Sequence, residues 1–187
     1  MYGIMRGMKL TLVLHNIRSA YNVGAILRTA EGLGVEKVVL SGYTPRYNDT
    51  EILPHLREKL NHQIEKSALG AEKLVLQENL GKNPADLLTF LDKCDMMEGC
   101  TLVGLENNLN EVEQARQLIL GSEKSREICQ KAEKLVLVLG EEVGGIAPEI
   151  RAKMEYFLEI PMHGKKESFN VSVAAGIAMW GLMCYNN

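Results

Sequence analysis

The chain has 187 residues, of which 46% are hydrophobic and 24% are charged, and its formal net charge at pH 7 is −3. This length and balance predict a single soluble globular domain over residues 1–187, with one sizeable core. The acidic net charge argues against strong non-specific binding of nucleic acid by the whole surface, although a local basic patch is compatible with it.

The longest apolar runs, such as residues 135–139, are about one strand long and far too short to span a bilayer. Residues 1–9 contain no extended apolar stretch followed by a small-residue cleavage site, so no secretion signal is expected. The four cysteines, at positions 94, 100, 129 and 184, lack the short spacing of metal ligands. We therefore expect a cytoplasmic protein with reduced thiols.

Short continuous apolar runs alternate with segments of helical periodicity along the chain. The runs predict strands at residues 10–14, 38–40, 74–76, 102–105, 135–139 and 157–160. Helical spacing occurs between them, at residues 23–33, 50–60, 84–94 and 111–119. Because continuous runs are typical of strands covered on both faces, the pattern predicts an α/β fold with an open, mostly parallel sheet and helices on both faces. The most polar stretch, residues 107–131, is expected to be an exposed insertion or a mobile connection.

The first of three motifs covers residues 15–34, where a strand ends in a polar loop and a helix follows. Asn22 stands where the N-cap of this helix is expected, and Arg28 lies off its apolar stripe. Purely structural roles would also account for both residues. Asn22 could simply cap the helix, and Arg28 could pair with Glu31 three residues later.

The second motif, residues 137–149, is an apolar strand that ends in a glycine-rich turn with two adjacent acids, Glu141 and Glu142. Glycines let a ligand approach the backbone closely, although many such turns only change the chain direction. The glycine spacing fits neither a dinucleotide fingerprint nor a phosphate loop. Because adjacent acids repel a phosphate, the turn favours a neutral or cationic ligand.

The third motif, residues 159–178, is a strand followed by a short loop and a helix that is expected to open on Ser168 and Asn170. The structural alternative is that Ser168 is an N-cap and that small residues allow close helix packing. Those small residues are Ser172, Ala175, Gly176 and Met179. The helix expected over residues 168–185 is apolar nearly all round, which predicts that a second subunit covers part of it.

Taken in this order, the three motifs resemble the signature of the SpoU/TrmH class of SPOUT RNA methyltransferases, over essentially the whole chain. The resemblance implies a parallel sheet whose C-terminal part passes through a loop to form a deep trefoil knot, an exception to the rule against threaded chains. It further implies S-adenosylmethionine as methyl donor with no metal, and methylation of ribose 2′-hydroxyls in tRNA or rRNA, a group that DNA lacks. It also implies a homodimer, and the apolar C-terminal helix is the surface expected to form it. The chain would correspond to the catalytic domain alone.

The resemblance also assigns roles to individual residues. Those that match the family's catalytic groups are Arg28, Asn22, Glu142, Ser168 and Asn170. Those that match its cofactor-binding positions are Leu105, Gly140, Ile160, Met162 and Ser168. Glu141, Val143 and Phe169 depart from the residues that are usual in the family, which are a small or amide residue, a glycine and a leucine.

The family's arginine has been assigned the role of base, but a guanidinium is normally too strongly protonated to remove a proton. We therefore expect Arg28 to hold an RNA phosphate and to fix the ribose hydroxyl in line with the methyl group. A basic rim near the site is expected from Arg6, Lys9, Arg18, Arg46, Lys165 and Lys166. Two alternatives are a non-catalytic RNA-binding or assembly factor with the same fold, and a generic flavodoxin-like nucleotide-binding protein.

Overall fold

Parallel strands form the centre of the computed structural model, which describes residues 7–107 and 109–184. The strands are Lys9–His15 (β1), Lys37–Ser41 (β2), Gln77–Asn79 (β3), Cys100–Leu105 (β4), Gln117–Ile119 (β5), Lys134–Leu139 (β6) and Tyr156–Glu159 (β7). They form one sheet in the order β3-β2-β1-β6-β4-β7-β5. All six pairs of neighbouring strands are parallel, which confirms the predicted sheet.

Helices cover both faces of this sheet. They are Ala20–Leu33 (α1), Pro54–Ala68 (α2), Pro84–Asp95 (α3), Glu111–Gln114 (α4), Glu123–Lys131 (α5), Pro148–Arg151 (α6) and Val171–Cys184 (α7), with a 3₁₀ turn at Ala71–Lys73. Within the described ranges, no helix is both long enough and apolar enough to cross a membrane.

The sheet separates two apolar cores, because side chains along a strand alternate between its faces. On one face Leu12 of β1 packs in a cluster with α1, α2 and α7. On the other face the next residue, Val13, packs in a cluster with α3 and α6. Both side chains are fully buried. This two-sided burial explains why the central strands are continuous apolar runs.

Three expectations about the elements were wrong. The apolar residues 74–76 form a turn, and strand β3 begins one residue later with the polar sequence Gln77–Asn79. The helix expected over residues 111–119 ends at Gln114, and residues 117–119 form the edge strand β5, paired with β7. Within the polar stretch 107–131, β5 and α5 bury Leu118 and Cys129 in the core. Tertiary pairing overrode the local pattern in these short segments.

The strand order departs from the chain order near the middle of the sheet. β6 follows both β1 and β4 in the chain but lies between them, and β7 lies between β4 and β5. In open parallel sheets, ligands bind outside the carboxyl ends of the strands at such crossovers. The trefoil knot implied by the resemblance stays a prediction, because strand order alone does not define which segment passes through which.

Candidate functional site

A large cavity opens at the carboxyl ends of β4, β6 and β7. Its volume of about 880 Å³ is in the range of small-molecule sites. The end of β4, the glycine-rich turn after β6 and the loop between β7 and α7 form its walls. All of the residues expected to bind the cofactor line it, namely Leu105, Gly140, Ile160, Met162 and Ser168. The parallel sheet therefore brings segments that are far apart in the chain to one place.

The glycine-rich turn after β6 folds back tightly on itself. Glu141 and Gly145 exchange two backbone hydrogen bonds, each with an N–O distance of 2.9 Å. Gly145 has a φ angle of 67°, in the left-handed region that favours glycine. A Cβ atom on Gly140 would overlap the backbone of Gly145. The wall of the cavity at this point therefore requires glycine at position 140.

Polar side chains from all three motifs meet in one hydrogen-bond network. Asn22 Nδ2 donates to Glu142 Oε1 over 3.4 Å, and Asn170 Nδ2 donates to Asn22 Oδ1 over 3.3 Å. The backbone N–H of Arg18 donates to both carboxylate oxygens of Glu142, each at 3.2 Å. Because Glu142 and Asn170 line the cavity, this network lies at its edge. Three segments of different sequence position thus form one polar surface.

Neither Asn22 nor Ser168 is an N-cap, whereas Asn170, which was also expected at the start of the last helix, does cap it. Helix α1 is capped by Ser19, whose Oγ accepts from the backbone N–H of Asn22 over 3.3 Å, so the Asn22 amide is available for Glu142. Helix α7 begins at Val171, three residues later than expected. Asn170 Oδ1 accepts from the N–H of Ser172 over 2.9 Å, so Asn170 occupies the cap position and Ser168 is an exposed loop residue on the cavity wall.

Arg28 lies apart from this network. Its side chain is exposed on α1, and it does not line the cavity. It is six residues beyond Asn22, which is about 9 Å farther along the helix. Within residues 7–107 and 109–184, the Arg28 side chain has no hydrogen bond or ion pair, so the alternative of a pair with Glu31 is not observed.

The expected basic rim is smaller than the sequence suggested. Lys9 is at the amino end of β1, the opposite edge of the sheet, where it pairs with Glu36 at 3.0 Å. Arg46 is buried, and Arg6 lies outside the described residues. Of the residues expected in the rim, Arg18, Lys165 and Lys166 are exposed in loops that follow the carboxyl ends of strands.

A partly buried ionic cluster adjoins the cavity, and it was not predicted from the sequence. Arg151 pairs with Glu106 at 3.1 Å, and both line the cavity. The Arg151 Nε also donates to Glu113 over 2.7 Å, and this hydrogen bond lowers the pKa of Glu113 to about 2. Glu106 further accepts from the N–H of Ile146 over 3.2 Å. No local signal predicts this cluster, because its members come from three separate segments.

Tyr43 and Glu141 form a second contact that the sequence did not reveal. The Tyr43 hydroxyl donates to Glu141 Oε1 over 2.5 Å, which joins the loop after β2 to the glycine-rich turn. Burial, together with this hydrogen bond, raises the pKa of Tyr43 to about 12. Glu141 is one of the positions at which the chain departs from the family's usual residue. Its carboxylate therefore ties the glycine-rich turn to the loop after β2.

Comparison with known proteins identifies relatives over most of the chain. Residues 9–180 match the SpoU rRNA Methylase family. The 23S rRNA (guanosine-2′-O-)-methyltransferase RlmB of Xylella fastidiosa is 30% identical over 178 residues, covering 93% of this chain and 58% of that protein. The RlmB of Neisseria meningitidis is 28% identical over 174 residues, covering 91% and 56%. The chain thus spans less than two thirds of the length of these relatives.

Solved structures show the same fold. The AdoMet-bound rRNA methyltransferase from Sinorhizobium meliloti superimposes with a TM-score of 0.70 at 20% identity, covering 97% of this chain and 60% of that one. The TrmH/SpoU tRNA modifying enzyme of A. aeolicus gives a TM-score of 0.64 at 24% identity, covering 97% and 78%. The family match over residues 9–180, together with the parallel sheet, shows that this chain belongs to the SpoU rRNA methylase family.

Proposed function

We propose that this chain transfers a methyl group from S-adenosylmethionine to a ribose 2′-hydroxyl of tRNA or rRNA. The observation that carries the proposal is the network of Asn22, Glu142 and Asn170 at the edge of the large cavity. Relatives whose names include rRNA (guanosine-2′-O-)-methyltransferase support the same reaction. A ribose hydroxyl also fits the polar network, because it can both donate and accept hydrogen bonds.

The chemistry of the cavity fits the proposed methyl donor. Its wall carries the acids Glu106, Glu141, Glu142 and Glu167 and one basic residue, Arg151, which is already paired with Glu106 and Glu113. Such a wall favours a cation over an anion. S-adenosylmethionine supplies an activated methyl group on a positively charged sulfur. Leu105, Gly140, Ile160, Met162 and Ser168 would hold it, largely through backbone groups.

The remaining residues would act on the RNA. A 2′-hydroxyl is a poor nucleophile until its proton is removed or shared, so its position relative to polar groups decides the rate. Asn22, Glu142 and Asn170 would orient the ribose and organise the edge of the cavity. The exposed guanidinium of Arg28 would hold an RNA phosphate bidentately and so fix the hydroxyl in place.

The distance of Arg28 from the cavity of its own chain supports a homodimer in which Arg28 acts at the partner's cavity. Helix α7 leaves an apolar face exposed, with Val173 49% and Trp180 62% accessible. The small-residue face packs within the protomer instead, where Ala175 and Met179 are buried and Gly176 faces Thr29 of α1. A two-fold partner on the Val173–Trp180 face would bury these side chains.

The direct test is methyl transfer from labelled S-adenosylmethionine to bulk tRNA and rRNA from cells that lack the protein. We expect the label to appear in a 2′-O-methyl nucleotide. It should be lost when Asn22, Glu142 and Asn170 are replaced together. If the protein binds RNA but transfers no methyl group, it is instead a non-catalytic RNA-binding or assembly factor. The free thiols Cys94, Cys100, Cys129 and Cys184 support the reducing cytoplasm as the place of this reaction.

A further inference from the structure

A second, smaller cavity lies at the same edge of the sheet, at the carboxyl ends of β2 and β3. Its volume is about 190 Å³, and its walls include Arg46, Asp49, Glu51 and Asn79. At about 30 Å³ per water molecule, it has room for roughly six waters. This space suits one small planar group. It is too small for a whole nucleoside or for the methyl donor.

Arg46 is poorly paired for a buried charge. Its side chain is only 6% exposed, yet its nearest acid oxygen is that of Glu51, 3.5 Å from Nη1. Its Nη2 is buried and has no hydrogen-bond partner in the described part of the chain. Charge-assisted hydrogen bonds are typically about 2.7–2.9 Å long. Because a buried donor without a partner is costly, this guanidinium points to a ligand that completes its hydrogen bonds.

The charges around Arg46 decide the chemistry of that ligand. Asp49 and Glu51 also line the cavity, so its ionic side chains carry one more negative than positive charge. A phosphate would be repelled by the two carboxylates. A neutral group that offers acceptors to the guanidinium and donors to a carboxylate matches the wall. A nucleobase has both kinds of atom on its edges.

Guanine fits this arrangement best among the four bases. Its O6 and N7 are adjacent acceptors, which arginine contacts with two parallel hydrogen bonds. Its N1–H and N2–H groups are adjacent donors, which a single carboxylate can accept. The Glu51 side chain is 59% exposed, so it can leave Arg46 and take up these donors.

The position of the cavity suits the base of a neighbouring nucleotide. β2 is two strands away from β6, which is about 10 Å at the usual spacing of strands in a sheet. The loop that carries Arg46 also carries Tyr43, which is hydrogen-bonded to Glu141 on the wall of the large cavity. A single RNA strand along this edge would therefore reach both cavities.

We propose that the second cavity binds one unstacked guanine base of the RNA strand whose ribose is presented to the large cavity. Arg46 donates to O6 and N7, and Glu51 accepts from N1–H and N2–H. This inference rests on the proposed function, because it takes RNA as the substrate. It adds a specificity site that lies apart from the cofactor cavity.

Fluorescence anisotropy of short labelled uridine oligomers tests this inference. Each oligomer carries one central guanosine, inosine, adenosine or abasic nucleotide, and the full chain is used with S-adenosylmethionine present. We expect the guanosine oligomer to bind about tenfold more tightly than the adenosine and abasic oligomers. Inosine, which lacks the N2 amino group, should bind with intermediate affinity.

Two substitutions and one matched control assign the preference to this cavity. Arg46→Met and Glu51→Gln should each remove most of the guanosine preference while leaving the affinity for the abasic oligomer unchanged. Arg57→Met replaces a partly buried arginine of α2 that does not line the cavity, and it should retain the preference. Circular dichroism and S-adenosylmethionine affinity check the fold of each variant. Glu51 is exposed, so its variant tests the proposal even if Arg46→Met does not fold.

Three outcomes would overturn the inference. Equal affinity for the guanosine, adenosine and abasic oligomers would show that no base is bound. A guanosine preference that persists in Arg46→Met and Glu51→Gln would place the base elsewhere. A uniform loss of affinity in Arg46→Met, including for the abasic oligomer, would show that Arg46 contacts a phosphate. Methyl transfer to cellular RNA is measured separately, so any of these results can occur while the proposed function holds.

Discussion

Asn170 at the start of α7 donates a hydrogen bond of 3.3 Å to Asn22 in the first turn of α1, although the two residues are 148 positions apart in the chain. The amide nitrogen Nδ2 of Asn22 in turn donates to Glu142 Oε1. The Asn22 side chain therefore joins the first motif to both of the others.

Asn22→Ala removes the residue that connects Glu142 and Asn170. Because both contacts are lost, we expect methyl transfer to fall about tenfold to a hundredfold, which corresponds to about 1.4–2.7 kcal/mol of transition-state stabilisation. Affinity for S-adenosylmethionine, measured by calorimetry, should change little. Gln130→Ala, which removes an exposed amide from α5, is the matched control. Unchanged turnover in Asn22→Ala would contradict a role for the network in catalysis.

Gly140→Ala should weaken binding of S-adenosylmethionine more than tenfold, because the added Cβ would overlap the backbone of Gly145 and distort the cavity wall. Gly164→Ala is the control from the loop after β7, since a Cβ at Gly164 meets no atom within 4 Å. Calorimetry on both variants compares the two positions directly. Equal affinities would show that the turn does not contact the cofactor.

Arg28→Ala should lower turnover on the order of a hundredfold, about 3 kcal/mol, while leaving cofactor affinity intact. Mixing the Arg28→Ala protein with the Gly140→Ala protein tests whether Arg28 of one subunit acts at the cavity of the other. If it does, each mixed dimer has one site with an intact cavity and an intact arginine from the other chain. Random exchange of subunits would then restore about a quarter of the wild-type activity. No restoration would place Arg28 at the cavity of its own chain.

Val173→Glu places a charge on the exposed apolar face of α7 without disturbing the buried face. We expect this variant to sediment as a monomer and to lose methyl transfer, while its circular dichroism stays that of the wild type. Met96→Glu changes another exposed apolar residue, 84% accessible and distant from α7 in the chain, and should remain dimeric. A wild-type chain that is monomeric and fully active would contradict the proposed dimer.

Glu113→Gln tests the ionic cluster of Arg151, Glu106 and Glu113 through the pH dependence of stability. The folded pKa of Glu113 is about 2, below the ordinary value of 4.5, so folding favours the ionised carboxylate. Its contribution to stability is therefore fully present above about pH 4.5 and is lost as the pH falls toward 2. Near neutral pH the variant should lose about 2 kcal/mol of unfolding free energy. This difference, measured by urea denaturation, should shrink between pH 4.5 and 2. If the difference in unfolding free energy between the two proteins stays constant over this pH range, the lowered pKa of Glu113 is contradicted.

The errors of the sequence reading occurred where local pattern and tertiary pairing disagree. β3 and β5 are only three residues long, and Gln77–Asn79 is entirely polar. Neither segment has the apolar run that identified the central strands. The Ser19 cap was missed because Asn22 has an equally good capping side chain, and only the folded backbone shows which of the two occupies the N-cap.

The sequence by itself determined the parallel α/β class and the three motifs, because buried strands require continuous apolar runs and tight turns require glycine. Only the tertiary structure decided that Asn22, Glu142 and Asn170 form one network, and that Arg28 lies apart from it. It also decided that Arg46 is buried beside a second cavity and is not part of an exposed rim. The physical reason is that such contacts depend on the order of strands in the sheet and on the direction of each side chain. Neither is encoded in the spacing of residues along the chain.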